Sequence, residues 1–129
     1  MAKRTLEITD FSSPLKRAFT ISRGAKTSAE TILVTIRQDG AIGRGECVPY
    51  PRYSETQPGV RAAIGEMRAQ IEDGLSRDAL QDAMPAGAAR CAVDCALWDL
   101  EAKLTGTPVW QLAGLPEPGP VETAVTVSL

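Results

Sequence analysis

The sequence predicts an α+β fold, a three-stranded antiparallel meander followed by a helical bundle. Apolar and polar residues alternate in the first third of the chain. Apolar residues then recur at helical spacing from Val60 to Leu104. Strands come first and helices after, the order of an α+β chain rather than of repeated βαβ units.

Leu6 to Phe11 is the first strand candidate. Ser12 to Ala29 mixes Ser, Pro, Gly, Lys and Arg with weak periodicity and reads as a long loop. Ordered loops of that length are usually functional or mobile. In TILVTIR, Ile32, Val34 and Ile36 point one way, and Thr31, Thr35 and Arg37 the other. Asp39-Gly40 supplies a tight turn, since Gly accepts positive φ at little cost. Ala41 to Val48 forms the return strand.

PYPRYSETQPG is a second polar, aromatic loop. Pro58 suits the first turn of a helix, where a missing N–H costs nothing. Val60, Ile64, Met67 and Ile71 make a one-sided apolar stripe that ends at Asp73-Gly74. Ser76 caps a short helix running to about Met84, and Pro85-Ala86-Gly87 breaks the chain again. A long helix follows from Ala88 to about Leu104 and stops at Gly106 and Pro108. It is apolar almost all round and needs cover on more than one side. Val109 to Leu112 adds a turn or two, and TAVTVSL reads as a new strand.

The net charge is −2, which gives no basic field for nucleic acid. No apolar run approaches the roughly 20 residues that span a bilayer, and the N-terminus lacks the apolar core of a secretory signal. Cys47, Cys91 and Cys95 read as reduced, apolar side chains, which implies a cytoplasmic location. With no histidine, the chain cannot build a Ser-His-Asp triad, a Cys-His pair or a His-based zinc site. GRGEC lacks the spacing and the following helix of a phosphate loop.

The meander, the loop GECVPYPRYSET and the helix segment PAGAARCAVDCALWDLEAKLTGTPVWQLAG together resemble the N-terminal capping domain of the enolase superfamily. ALWDL and Gly106-Thr107-Pro108 are shared widely there. Glu46 to Tyr53, with Phe19 and Ile21 to Gly24, resemble the narrower branch of dipeptide epimerases acting on L-Ala-D/L-Glu. The resemblance covers essentially the whole chain. It implies a capping domain over residues 1–120, with residues 121–129 as the first strand of a TIM-type barrel that the sequence does not go on to supply. A barrel of that kind takes about 250 residues.

The resemblance implies that the chemistry sits on that barrel. Two lysines remove and return the substrate's α-proton, and three carboxylates hold Mg²⁺. None of these residues matches a position here, so no catalytic residue, metal ligand or bound cofactor is assigned to this chain. What remains is the lid's task of closing over the barrel mouth and selecting the substrate. Arg23 and Lys26 in the first loop, and Tyr50, Arg52 and Tyr53 in the second, are the candidate substrate-binding residues. Arginine grips a carboxylate through two parallel hydrogen bonds, and a dipeptide ending in Glu carries two. Glu46 reads as a strand-end carboxylate bonded to a neighbouring loop, Arg90 and Asp94 as an i,i+4 ion pair, and Trp98 and Trp110 as core or interdomain contacts.

Two other readings compete. One is the lid of another superfamily enzyme, a cycloisomerase or an acid-sugar dehydratase. The other is a stand-alone binding or assembly module. Without a barrel, the open helix face and the edge strand 121–129 would find a second copy of the chain, a homo-oligomer. The small-molecule partner is the dipeptide, with no nucleic acid and no membrane.

Overall fold

The computed structural model describes residues 3–127. Strands β1 (Thr5–Ile21), β2 (Gly24–Gln38) and β3 (Ala41–Cys47) form one antiparallel sheet in the order β1-β2-β3. The turn between β2 and β3 is Asp39-Gly40, both with positive φ, at 50° and 80°. A 3-10 turn (Pro51–Tyr53) follows, then α1 (Gln57–Glu66), α2 (Arg68–Glu72), α3 (Arg77–Ala83), α4 (Ala88–Thr105) and α5 (Val109–Leu112).

Register decides which face is buried. Leu6 pairs with Ile36, Ile8 with Val34, Val34 with Gly45 and Ile36 with Gly43. Ile32, Val34 and Ile36 therefore share one face and are fully buried against Ile64, Ile71, Leu80, Val93 and Leu100 of the helices. Gly43 and Gly45 sit on the same face, beneath α4. A Cβ on Gly43 would lie 2.6 Å from Leu100 Cβ, and one on Gly45 would collide with the Ala92 carbonyl. The glycines let the longest helix lie directly on the sheet.

The caps follow the sequence. Thr56 accepts the Gly59 N–H at 3.1 Å at the head of α1, and Ser76 accepts the Ala79 N–H at 3.1 Å at the head of α3. Gly106 closes α4 in the left-handed conformation, with φ 65°.

Several expectations are corrected. Ser12 to Ala29 is no loop. β1 and β2 continue past the core as a two-stranded arm whose pairing slips between Pro14 and Phe19 and resumes to Ile21 and Gly24. The expected single helix from Pro58 to Asp73 breaks at Met67, where an i→i−3 bond of 3.1 Å to Ile64 tightens the chain. Past the break, Arg68 donates to the Leu6 carbonyl, and Glu72 accepts the Leu6 N–H at 3.0 Å. Residues 121–127 carry no strand pairing, and Ser128 and Leu129 lie outside the described residues.

α4 is less apolar in its surroundings than its sequence suggests. Ala92, Val93, Ala96, Leu97 and Leu100 are buried, while Cys91 and Cys95 are exposed. Trp98 is covered by the Arg77 guanidinium, 3.7 Å from the ring centre. Arg90 and Asp94 do not pair. Arg90 donates to the carbonyls of Gln81 and Met84, and Asp94 accepts from Gln81 Nε2 at 2.9 Å.

Candidate functional site

The β1–β2 arm brings its tip beside the Pro51–Tyr53 turn. β3 ends at Cys47, opposite Ile32, so no third strand flanks the arm beyond that point. Arg23 is in the two-residue loop at the tip, between the paired Ile21 and Gly24, and Lys26 pairs with Phe19 two steps down the ladder. From the other side comes the segment after β3. Its prolines restrict the backbone, and Ser54 ends the turn with φ 59°.

Between the two lies an open cleft of about 530 Å³ lined by Arg23, Lys26, Tyr50, Pro51 and Arg52. A second lobe of about 300 Å³ shares Arg23, Lys26 and Tyr50 and adds the apolar Phe19, Ile21 and Ala25. No carboxylate lines either lobe. Among the described residues, Arg23 and Arg52 form no salt bridge, whereas six other ion pairs are made elsewhere on the fold. The cleft thus combines cationic groups from both segments with apolar side chains of the arm. That arrangement suits an anionic ligand with a short apolar part.

Four of the five candidate residues, Arg23, Lys26, Tyr50 and Arg52, come together on this cleft. Tyr53 does not line it. It is 71% exposed, and its ring leans on Tyr50 at 5.8 Å between centres. Lys26 is engaged as well as cationic, with its ammonium 5.2 Å from the centre of the Tyr50 ring.

The loop's anchor is Glu55, not Glu46. Glu55 Oε1 accepts the Tyr50 N–H at 3.2 Å, and its Oε2 accepts the Ala88 N–H at 2.7 Å. Gly87 at the head of α4 has no side chain to cap it, so Glu55 caps that helix from a distance. Sequence reading missed it because the partner N–H is 33 residues away. Within the arm, Ser12 Oγ and Ser28 Oγ both donate to Glu30 Oε1 at 2.6 Å. The Ser12 and Ser28 hydroxyls hold the Glu30 carboxyl below its usual range.

Among the described residues, no group of three or more His, Cys, Asp or Glu side chains is placed to hold a metal ion. The described residues therefore assemble no Mg²⁺ site. No described helix is long and apolar enough to cross a membrane.

Residues 3–114 match the N-terminal domain of the mandelate racemase / muconate lactonizing enzyme family, and the chain belongs to that family. The L-Ala-D/L-Glu epimerase of Escherichia coli (strain K12) is 44% identical over 96% of this chain, which spans 39% of that relative. An enolase family member from Agrobacterium tumefaciens with homology to dipeptide epimerases, solved with sodium and L-Ala-L-Glu, is 49% identical. It superposes with a TM-score of 0.83 over 88% of this chain and 35% of its own. The dipeptide epimerase of Enterococcus faecalis, solved with Mg and L-Leu-L-Tyr, is 29% identical with a TM-score of 0.74, over 87% of this chain and 34% of its own. The chain thus spans between a third and two fifths of these relatives.

Proposed function

We propose that residues 1–120 are the substrate-selecting lid of an L-Ala-D/L-Glu dipeptide epimerase, and that residues 121–129 lead into its barrel. The observation that carries the reading is the cleft between the arm tip and the Pro51–Tyr53 turn, where Arg23 and Arg52 stand without a carboxylate partner. Arg23 would grip one carboxylate of the dipeptide bidentately, and Arg52 the second. The apolar lobe beside Phe19 and Ile21 would seat the short alanyl side chain. Val121, Val125 and Val127, each at least 84% exposed here, would be covered by the barrel.

The proton transfers belong, on this reading, to groups outside these 129 residues, as does any Mg²⁺ site. The lid's own work is to exclude water and to fix the dipeptide's charged ends. A cycloisomerase or acid-sugar dehydratase lid is the alternative, and the ligand that the Arg23 and Arg52 loops accept discriminates between the two.

The test is deuterium exchange at the α-carbon of L-Ala-L-Glu in D₂O with Mg²⁺. The 129-residue chain alone is expected to give none. The chain fused ahead of the barrel of the Escherichia coli relative is expected to restore exchange. Exchange that scaled with the purified chain alone would overturn the assignment of the chemistry to a barrel.

A further inference from the structure

The arm tip and the Pro51–Tyr53 turn are far apart in sequence, and no third strand joins them beyond Ile32. Lys26 spans that gap. Its ammonium stands 5.2 Å from the centre of the Tyr50 ring, inside the roughly 6 Å reach of a cation–π contact. Tyr50 is itself held, since its N–H donates to Glu55, which also accepts the Ala88 N–H of α4. A continuous series of contacts therefore runs from the head of α4 through Glu55, Tyr50 and Lys26 to the ladder that carries Arg23.

We infer that Lys26 is a positioning residue, tying the arm tip to the Pro51–Tyr53 turn through Tyr50, so that Arg23 and Arg52 are held at a fixed spacing. Lys26 borders both lobes of the cleft, as do Arg23 and Tyr50. A lysine is a poorer carboxylate grip than the two arginines, because its point-charge ammonium lacks the planar pair of donors that a guanidinium offers. That Arg23 and Arg52 are the groups being spaced rests on the function proposed above. The tie between the two segments does not.

Amide hydrogen exchange of the 129-residue chain, without ligand, tests the tie. K26M is expected to speed exchange at residues 19–26 and also at residues 52–55, by about two- to fivefold, the size of an exposed cation–π contact. K26R and Y50F are expected to keep the wild-type rates, since each preserves a cation over a ring. Both positions are exposed or only partly buried, so the three variants fold. The inference is overturned if K26M leaves both segments unchanged, if only the arm responds, or if K26R fails to restore the rates. Loss of the tie would leave the dipeptide reading intact. Loss of dipeptide selectivity on mutation of Arg23 and Arg52 is a separate readout.

Discussion

Asp99 and Lys103, 2.7 Å apart one turn along α4, close the outer edge of β3. Asp99 Oδ2 also accepts the Arg44 N–H at 2.8 Å, and Lys103 Nζ donates to the Ile42 carbonyl at 2.7 Å. On the opposite edge Glu72, Arg68 and Arg61 treat Leu6 and Ile8 of β1 the same way. Side chains thus occupy the backbone groups through which a bare edge would pair with another chain.

D99A should therefore lower stability by about 1 kcal/mol, the net worth of a hydrogen bond at a partly exposed site, and promote self-association read by sedimentation. Burial pushes the Asp99 carboxyl up, but the Lys103 ammonium and the Arg44 N–H outweigh it, so the net shift is downward. A carboxylate lowered in the folded state stabilises above its unfolded value, near pH 3.9. That contribution is lost as pH falls through the folded value. The acid limb of a stability–pH curve should be shallower in D99A than in the wild type. An equally steep limb would contradict the role given to Asp99.

Gly45→Ala places a methyl on the Ala92 carbonyl. It should cost about 3 kcal/mol, the upper end of ordinary overpacking. Gly65→Ala meets nothing within 4 Å on α1 and should stabilise by roughly 0.5 kcal/mol through helix propensity. Urea midpoints of the two variants should move in opposite directions.

Much of this architecture is legible in the sequence. The Asp39-Gly40 hairpin, the Thr-Ile alternation of β2, Ser76 as a cap and Gly106 as a stop all act locally, within a few residues of where they are written. The outer arm is not legible, because it is exposed on both faces and its pairing slips between Pro14 and Phe19, which erases a period-two pattern. The break at Met67 is set by Arg68 and Glu72 reaching the distant Leu6. Of the cleft, the residue types were legible but not their grouping. Lys26 over Tyr50, and Glu55 joining the Tyr50 and Ala88 N–H groups, depend on the return of the chain after β3.

The three cysteines should separate by reactivity. Cys91 and Cys95 are exposed and should react with a thiol reagent in the folded chain, Cys95 slowed because burial pushes its thiol up, whereas buried Cys47 should react only on unfolding. Burial first, and the nearby Cys91 thiol second, push the Cys47 thiol up to about 11. A thiol raised in the folded state favours the folded chain at pH values below its unfolded pKa, and this stabilisation is lost as pH rises toward 11. Cys95 shifts the same way, so C47A should flatten part of the alkaline limb of the stability curve.

E55A removes the acceptor of both the Tyr50 and the Ala88 N–H groups. It should cost about 1 kcal/mol, the usual worth of a helix cap. Circular dichroism would show fraying at the head of α4, and the loss should be larger than for E46A, whose side chain is exposed.

The proposed substrate-selecting role is measured most directly in the fusion of this chain to the barrel of the Escherichia coli relative, as the ratio of kcat/KM for L-Ala-L-Glu over L-Leu-L-Tyr. Replacing Arg23 and Arg52 together by Met should lower that ratio by about 10- to 100-fold, the worth of one charge-assisted contact, because L-Ala-L-Glu loses a grip on two carboxylates and L-Leu-L-Tyr on one. A ratio unchanged by the double replacement would contradict the lid's role in choosing the substrate.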